Sequence, residues 1–179
     1  LSADLKKLGV TGLRPQQEAP LAGILAGEDV FVSMPTGGGK SLMFQLPAVM
    51  DTGQRLTLVI SPLRALQADQ VDTLRSKGIC AAALNSDLST TEHRTVLQDA
   101  VEYGGLLYLA PEQLQNTTVA KALRQADIAR VTVDEAHILP QVKDDFRKAY
   151  GEIGMFIETL PKRPQILALT ATATPDDVR

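Results

Sequence analysis

Six short apolar runs recur along the chain, each separated from the next by a longer segment. They are DVFVSM at 29–34, LTLVIS at 56–61, ICAAAL at 79–84, LLYLA at 106–110, ARVTVD at 129–134 and QILALT at 165–170. Between them, helical patterning predicts helices over Arg14–Ala26, Ser41–Met50, Leu63–Lys77 and Ser89–Val101. Pro15 suits the first turn of its helix and Gly27 stops it, while Ser89 with Glu92 three residues on has the form of a capping box. Ser2 can cap a short first helix, Pro161 and Pro164 mark a turn before the last strand, and the ending TPDDVR resembles the start of another helix. Strand–helix alternation of this kind predicts an α/β domain with a mostly parallel sheet and helices on both faces. Such sheets collect ligands at the carboxyl ends of their strands, so a motif's position relative to a strand end tests its meaning.

Length and composition narrow the possibilities. The 179 residues, 44% of them hydrophobic, suit a single domain with one sizeable core. No run of about 18 apolar residues exists to span a membrane, and LSADLKKLGV lacks the apolar segment of a signal peptide. The one cysteine, Cys80, is expected to be a buried, inert thiol in a reducing compartment, which makes the Asn116-Thr117-Thr118 sequon incidental. His93, between Glu92 and Arg94, reads as solvated helix surface. A net charge of −3 supplies no global basic field, so nucleic-acid binding would have to come from a local face. Aromatic residues make up only 4% and tryptophan is absent, which limits base-stacking platforms.

The segment MPTGGGKS, Met34 to Ser41, follows a predicted strand and opens a predicted helix. Thr36 and the successive glycines Gly37, Gly38 and Gly39 allow a tight turn that aims backbone N–H groups at an anion. The helix N-terminus adds partial positive charge. Lys40 can reach the β- and γ-phosphates of a nucleotide, and the Ser41 hydroxyl can ligate Mg²⁺. Met34 stands where the general phosphate-loop pattern has glycine, so the match is to a variant form. Asp134 and Glu135 fall at the carboxyl end of ARVTVD, where the partner of a phosphate loop belongs. Asp134 can hold Mg²⁺ through its water shell while Glu135 orients and deprotonates an attacking water.

Together, MPTGGGKS, SPLRALQADQV, LAPEQL, DEAH and ALTATAT resemble, in order and approximate spacing, the first motor domain of a RecQ-like superfamily 2 DNA helicase. The resemblance implies a RecA-like P-loop NTPase fold, ATP and Mg²⁺ as cofactors, DNA as partner, and a second RecA-like domain in the same polypeptide. It implies an ATP-dependent DNA helicase that acts in repair or recombination, with 3′→5′ movement. The location would be cytoplasmic, at the nucleoid in a bacterium or in the nucleus of a eukaryote, with no membrane association. In LGVTGLRPQQEAP it implies that Arg14 stacks on adenine and Gln17 hydrogen-bonds the base edge; aromatics usual at Leu8, Val10 and Leu13 are absent. Weaker adenine binding than in typical relatives is therefore expected. Ser61, Pro62 and Arg64 are expected at the nucleic-acid backbone, and Thr170 and Thr172 at the coupling of hydrolysis to movement, with His137 as relay.

The stretch after DEAH resembles the family's aromatic-rich, DNA-sensing loop through Gln141, Asp145, Phe146, Arg147 and Tyr150. Val142 stands in place of its usual Trp, and Lys143 and Asp144 stand where Gly and His are usual. Stacking on an aromatic contributes about 1–3 kcal/mol per base, so altered DNA coupling is expected here. The family supplies a transition-state arginine from the second motor domain. These residues alone are thus expected to bind nucleotide, hydrolyse it slowly and not unwind. An RNA-remodelling relative and a non-motor nucleotide-binding regulatory module are the competing readings.

Overall fold

The computed structural model describes residues 2–34, 39–51, 55–61, 64–134 and 143–171; the side chains of residues 64, 143–150 and 171 are outside that description. Six strands form one sheet: β1 (Val30–Met34), β2 (Leu56–Ile60), β3 (Ala81–Leu84), β4 (Gly105–Leu109), β5 (Ile128–Val133) and β6 (Gln165–Ala171). Their order across the sheet is β1-β6-β5-β2-β4-β3, and every pairing is parallel. All six predicted strands are present. Seven helices are described with them: α1 (Ser2–Lys7), α2 (Pro15–Leu25), α3 (Leu42–Met50), α4 (Arg64–Ser76), α5 (Thr90–Tyr103), α6 (Thr117–Arg124) and α7 (Lys143–Glu158).

Alternation along the strands builds two cores, one on each face. Val32, Met34, Val59, Tyr108, Leu167 and Leu169 pack with α1 to α4 on one side. Leu58, Ile60, Leu107, Leu109, Val131 and Val133 pack with α5 to α7 on the other. Strands β2 and β5 are buried at every position, as a parallel sheet covered on both faces requires. Gly105 starts β4 at φ 89°, and a Cβ there would run into the backbone carbonyl of Cys80, so only glycine fits this close approach.

Helix ends follow local chemistry. Gly27, at φ 86°, closes the turn after α2. Ser89 caps α5 through its side chain, and Glu92 reaches back to the Ser89 N–H. Asn116, the sequon residue, caps α6 by accepting from the N–H groups of Thr118 and Val119.

Several expectations change. Helices α6 and α7 and a 3-10 turn over Pro111–Gln115 do not emerge from the sequence reading. The stretch from Lys143, which resembles a loop, has helical backbone as the start of α7. Cys80 is exposed rather than buried, because it lies just before the edge strand β3. His93 is half-buried, its Nε2 3.1 Å from Gln113 Oε1, so it ties α5 to the 3-10 turn instead of facing solvent alone.

At the amino-terminal edge of the sheet, charges are paired with each other. Arg130 of β5 is buried and donates to Asp51 at 2.7 Å, to Thr57 Oγ1 at 2.9 Å and to Gln165 Oε1 at 3.2 Å. Asp29 accepts from Arg163 at 2.6 Å and from the Ile166 N–H at 2.9 Å, which fixes β6 beside β1.

Candidate nucleotide site

At the opposite edge, the carboxyl ends of the strands gather the residues singled out by motif. Strand β1 leads into the glycine-rich segment and α3; Asp134 follows the last residue of β5; β6, which lies between them, carries Thr170 next to its last residue and in register with Ser33. The phosphate-loop strand and the acidic strand are thus one strand apart. Lys40 bridges that gap, its Nζ 3.6 Å from Asp134 Oδ1. Asp134 is 2% exposed, so this carboxylate is shielded from bulk solvent, with the Lys40 ammonium beside it.

Local geometry prepares the loop for an anion. Gly39 has φ 77°, a conformation that glycine adopts without strain. Ser41 precedes the first residue of α3, and its side chain makes no capping bond there. Lys40, Ser41 and Asp134 therefore fit a Mg²⁺–triphosphate group: a cation for the phosphates, and a hydroxyl and a carboxylate for the metal. Among the described residues no cluster of three or more His, Cys, Asp or Glu side chains forms.

Gln17 is buried and is held at both ends of its amide. Its Oε1 accepts from the Arg14 N–H at 2.8 Å, and its Nε2 donates to the Gly39 carbonyl at 3.1 Å. The residue read as a base contact is thus also a brace for the phosphate loop. Arg14, Gln17, Gly39, Ser41 and Gln45 line a cavity of about 190 Å³ beside the start of α3. Leu8 is buried in the core, with Val10 and Leu13 packed against it, so aliphatic side chains occupy places where aromatics are usual in the family. A larger cavity, about 860 Å³, opens between α5 and α6 and is lined by His93 and Gln113, away from the phosphate loop.

The remaining motif residues divide by position. Ser61 is buried at the end of β2; its N–H donates to the Leu109 carbonyl at 3.0 Å and its carbonyl accepts from Gln67 at 2.7 Å. Asp134 N–H donates to the Ile60 carbonyl at 2.9 Å, so the ends of β4, β2 and β5 are joined in series. Arg64 starts α4, and Phe146 and Arg147 lie in the first turns of α7. Thr36, Gly37, Gly38, Pro62, Glu135, His137, Gln141 and Thr172 lie outside the described residues.

Two residues near the site escape the sequence reading. Gln45, one turn into α3 from Ser41, lines the small cavity, and its Nε2 lies 3.3 Å from the hydroxyl of Tyr108 on β4. Burial pushes the Tyr108 hydroxyl far above the usual tyrosine range; the Gln45 hydrogen bond opposes this and the Asp134 charge adds to it. The four-residue spacing of Ser41 and Gln45 on one helix face is the signal that points to Gln45.

The chain is similar to known proteins in the same terms. It is 41% identical over 172 residues to the probable ATP-dependent DNA helicase RecS of Bacillus subtilis, a match that covers 96% of this chain and 34% of the relative. It is 44% identical to the ATP-dependent DNA helicase RecQ of Bacillus subtilis, covering 80% of this chain and 24% of that protein. The RecQ helicase of Synechocystis is 45% identical, with 86% and 32% covered. The chain thus spans about a third or less of the length of these relatives. Among solved structures, the helicase MrfA bound to DNA and AMPPNP superposes with a TM-score of 0.74 at 19% identity, covering 97% of this chain and 26% of that one. Helicase Lhr of Mycobacterium smegmatis bound to ssDNA and AMP-PNP gives 0.72 at 21%, with 97% and 25% covered, so the two share the fold. With a phosphate loop and an acidic strand end facing each other across β6, and with residues 14–179 matching its family model, the chain belongs to the DEAD/DEAH box helicases.

Proposed function

We propose that this chain is the ATP-binding motor domain of a RecQ-like, ATP-dependent DNA helicase, paired with a second RecA-like domain of the same polypeptide. The Lys40–Asp134 pair at the carboxyl edge of the sheet carries the reading. The similarity to RecQ and RecS helicases favours DNA over RNA as the track, with repair or recombination as the setting.

In this mechanism Lys40 and the backbone N–H groups at the start of α3 hold the nucleotide's phosphates. Ser41 and Asp134 hold Mg²⁺, which when bound neutralises charge on the phosphate oxygens. Glu135 takes the proton from the attacking water. Arg14 and Gln17 hold the base, with Thr36 and Gly37 to Gly39 shaping the loop around the phosphates. Pro62 and Arg64 contact the nucleic-acid backbone, where phosphate contacts position the strand without reading its sequence, and Ser61, buried at the end of β2, supports them from the sheet rather than touching the strand. His137, Gln141, Phe146, Arg147, Thr170 and Thr172 link the DNA track to the nucleotide. Without Trp at position 142, that link is weaker than in Trp-bearing relatives.

Oligonucleotide binding followed by anisotropy tests the reading, with Mg²⁺ and a non-hydrolysable ATP analogue present. Tighter binding of single-stranded DNA than of RNA of equal length, dependent on the analogue, is the expected result. Preference for RNA would establish the RNA-remodelling alternative, and nucleotide binding with no response to either polymer would establish a regulatory module.

A further inference from the structure

Gln45 touches two parts of the molecule with its side chain. One side of it faces the small cavity shared with Arg14, Gln17 and Ser41. Its amide meets the hydroxyl of Tyr108, a residue 1% exposed and packed edge-on against Phe44 with ring centroids 6.2 Å apart. Tyr108 sits on β4, two residues before Ala110, where LAPEQL leaves the sheet. The end of that strand bonds to Ser61, and the end of β2 bonds in turn to Asp134. The Gln45 amide donates to the buried Tyr108 hydroxyl, and together with the Phe44–Tyr108 ring contact it fixes α3 and β4 in one relative register.

We propose that Gln45 and Tyr108 are a positioning pair through which nucleotide in the small cavity and nucleic acid on the strand-end loops sense each other. The pair deepens the motor reading and rests on it. Nucleotide entering beside Arg14 and Gln17 bears on Gln45. Displacement of Gln45 shifts Tyr108 and the end of β4, and the backbone bonds through Ser61 carry that shift to Asp134. Because coupling between two binding sites is reciprocal, a strand bound at the loops changes nucleotide affinity by the same factor.

The test is the ratio of dissociation constants for a fluorescent ATP analogue without and with saturating single-stranded oligonucleotide, measured on this chain. In Tyr108→Phe, which removes only the hydroxyl, the ratio moves toward one by about three- to tenfold, the reach of one hydrogen bond. Gln45→Met does the same, and the double variant loses no more than either single one. A Tyr108→Phe ratio equal to that of the unaltered chain, with only its melting temperature changed, would overturn the pair and leave the motor reading standing. A ratio of one in the unaltered chain would remove both.

Discussion

The two edges of the sheet use their charged and amide side chains in opposite ways. At the amino edge, Arg130, Asp51, Thr57 and Gln165 satisfy one another, and Asp29 closes on Arg163 and the Ile166 N–H. At the carboxyl edge, Lys40 and Asp134 meet at 3.6 Å, longer than any hydrogen bond at the other end, beside a glycine at positive φ and a helix start with no side-chain cap. The first arrangement has its partners built in and contributes to folding. The second is, in the proposed function, the set that a triphosphate and a divalent cation bind. Parallel topology causes the asymmetry: every strand delivers its following loop to one edge, and the loops there are free to carry function while the other edge is stapled.

The contrast can be broken from either side. The largest effect is expected from Asp51→Ala, which leaves Arg130 buried without its carboxylate; the loss should approach about 3 kcal/mol of stability in a denaturant titration. Nucleotide affinity should stay within about twofold, since the change is at the far edge. Lys40→Ala is the mirror image. Loss of a charge-assisted contact to phosphate should weaken nucleotide binding about 10- to 100-fold, while the urea midpoint barely moves. Gly39→Ala belongs to both classes, because its φ of 77° disfavours alanine by about 1–2 kcal/mol and its new methyl would collide with Gln17 Nε2. A several-fold loss of nucleotide affinity together with a lower melting temperature is expected.

The smallest effect concerns acid. A hydrogen bond from Arg163 holds the Asp29 carboxyl below its ordinary range, with partial burial opposing and the Ile166 N–H assisting. A carboxyl lowered on folding stabilises the fold above its unfolded pKa, about 4, and loses that contribution as pH falls below it. Asp29→Asn should therefore lower the melting temperature slightly at neutral pH, and the difference should fade as the pH falls through the lowered pKa of Asp29. Arg163 is exposed at the surface, so the shift stays small throughout.

Much of this was legible in the sequence because the signals were local. Each strand is a short apolar run, and α2, α4 and α5 carry caps, a stopping glycine or a clear period. Helix α6 was not legible: it has eight residues and opens with two threonines, which favour other conformations. What holds it is tertiary, through Val119, Ala120 and Leu123 against the core and the Asn116 cap. In α7, the described apolar anchors Ile153 and Phe156 lie in its second half, and its sequence starts with charged residues. The exposure of Cys80 depends on β3 being an edge strand, which no local run reveals.

At the site, GKS and DEAH announced their positions, yet the Lys40–Asp134 approach needs β6 inserted between β1 and β5, a fact of topology. The Gln17 brace on Gly39 spans 22 residues and the Gln45–Tyr108 contact spans 63, so both exist only once the sheet has formed.

The proposal that the carboxyl edge binds a Mg²⁺–triphosphate group is tested most directly by calorimetric titration of the chain with a non-hydrolysable ATP analogue. One analogue should bind per chain, Mg²⁺ should tighten it, and Asp134→Asn should remove the effect of Mg²⁺ while Asp51→Asn retains it. Binding that ignores Mg²⁺ and survives Lys40→Ala and Asp134→Asn unchanged would contradict the account.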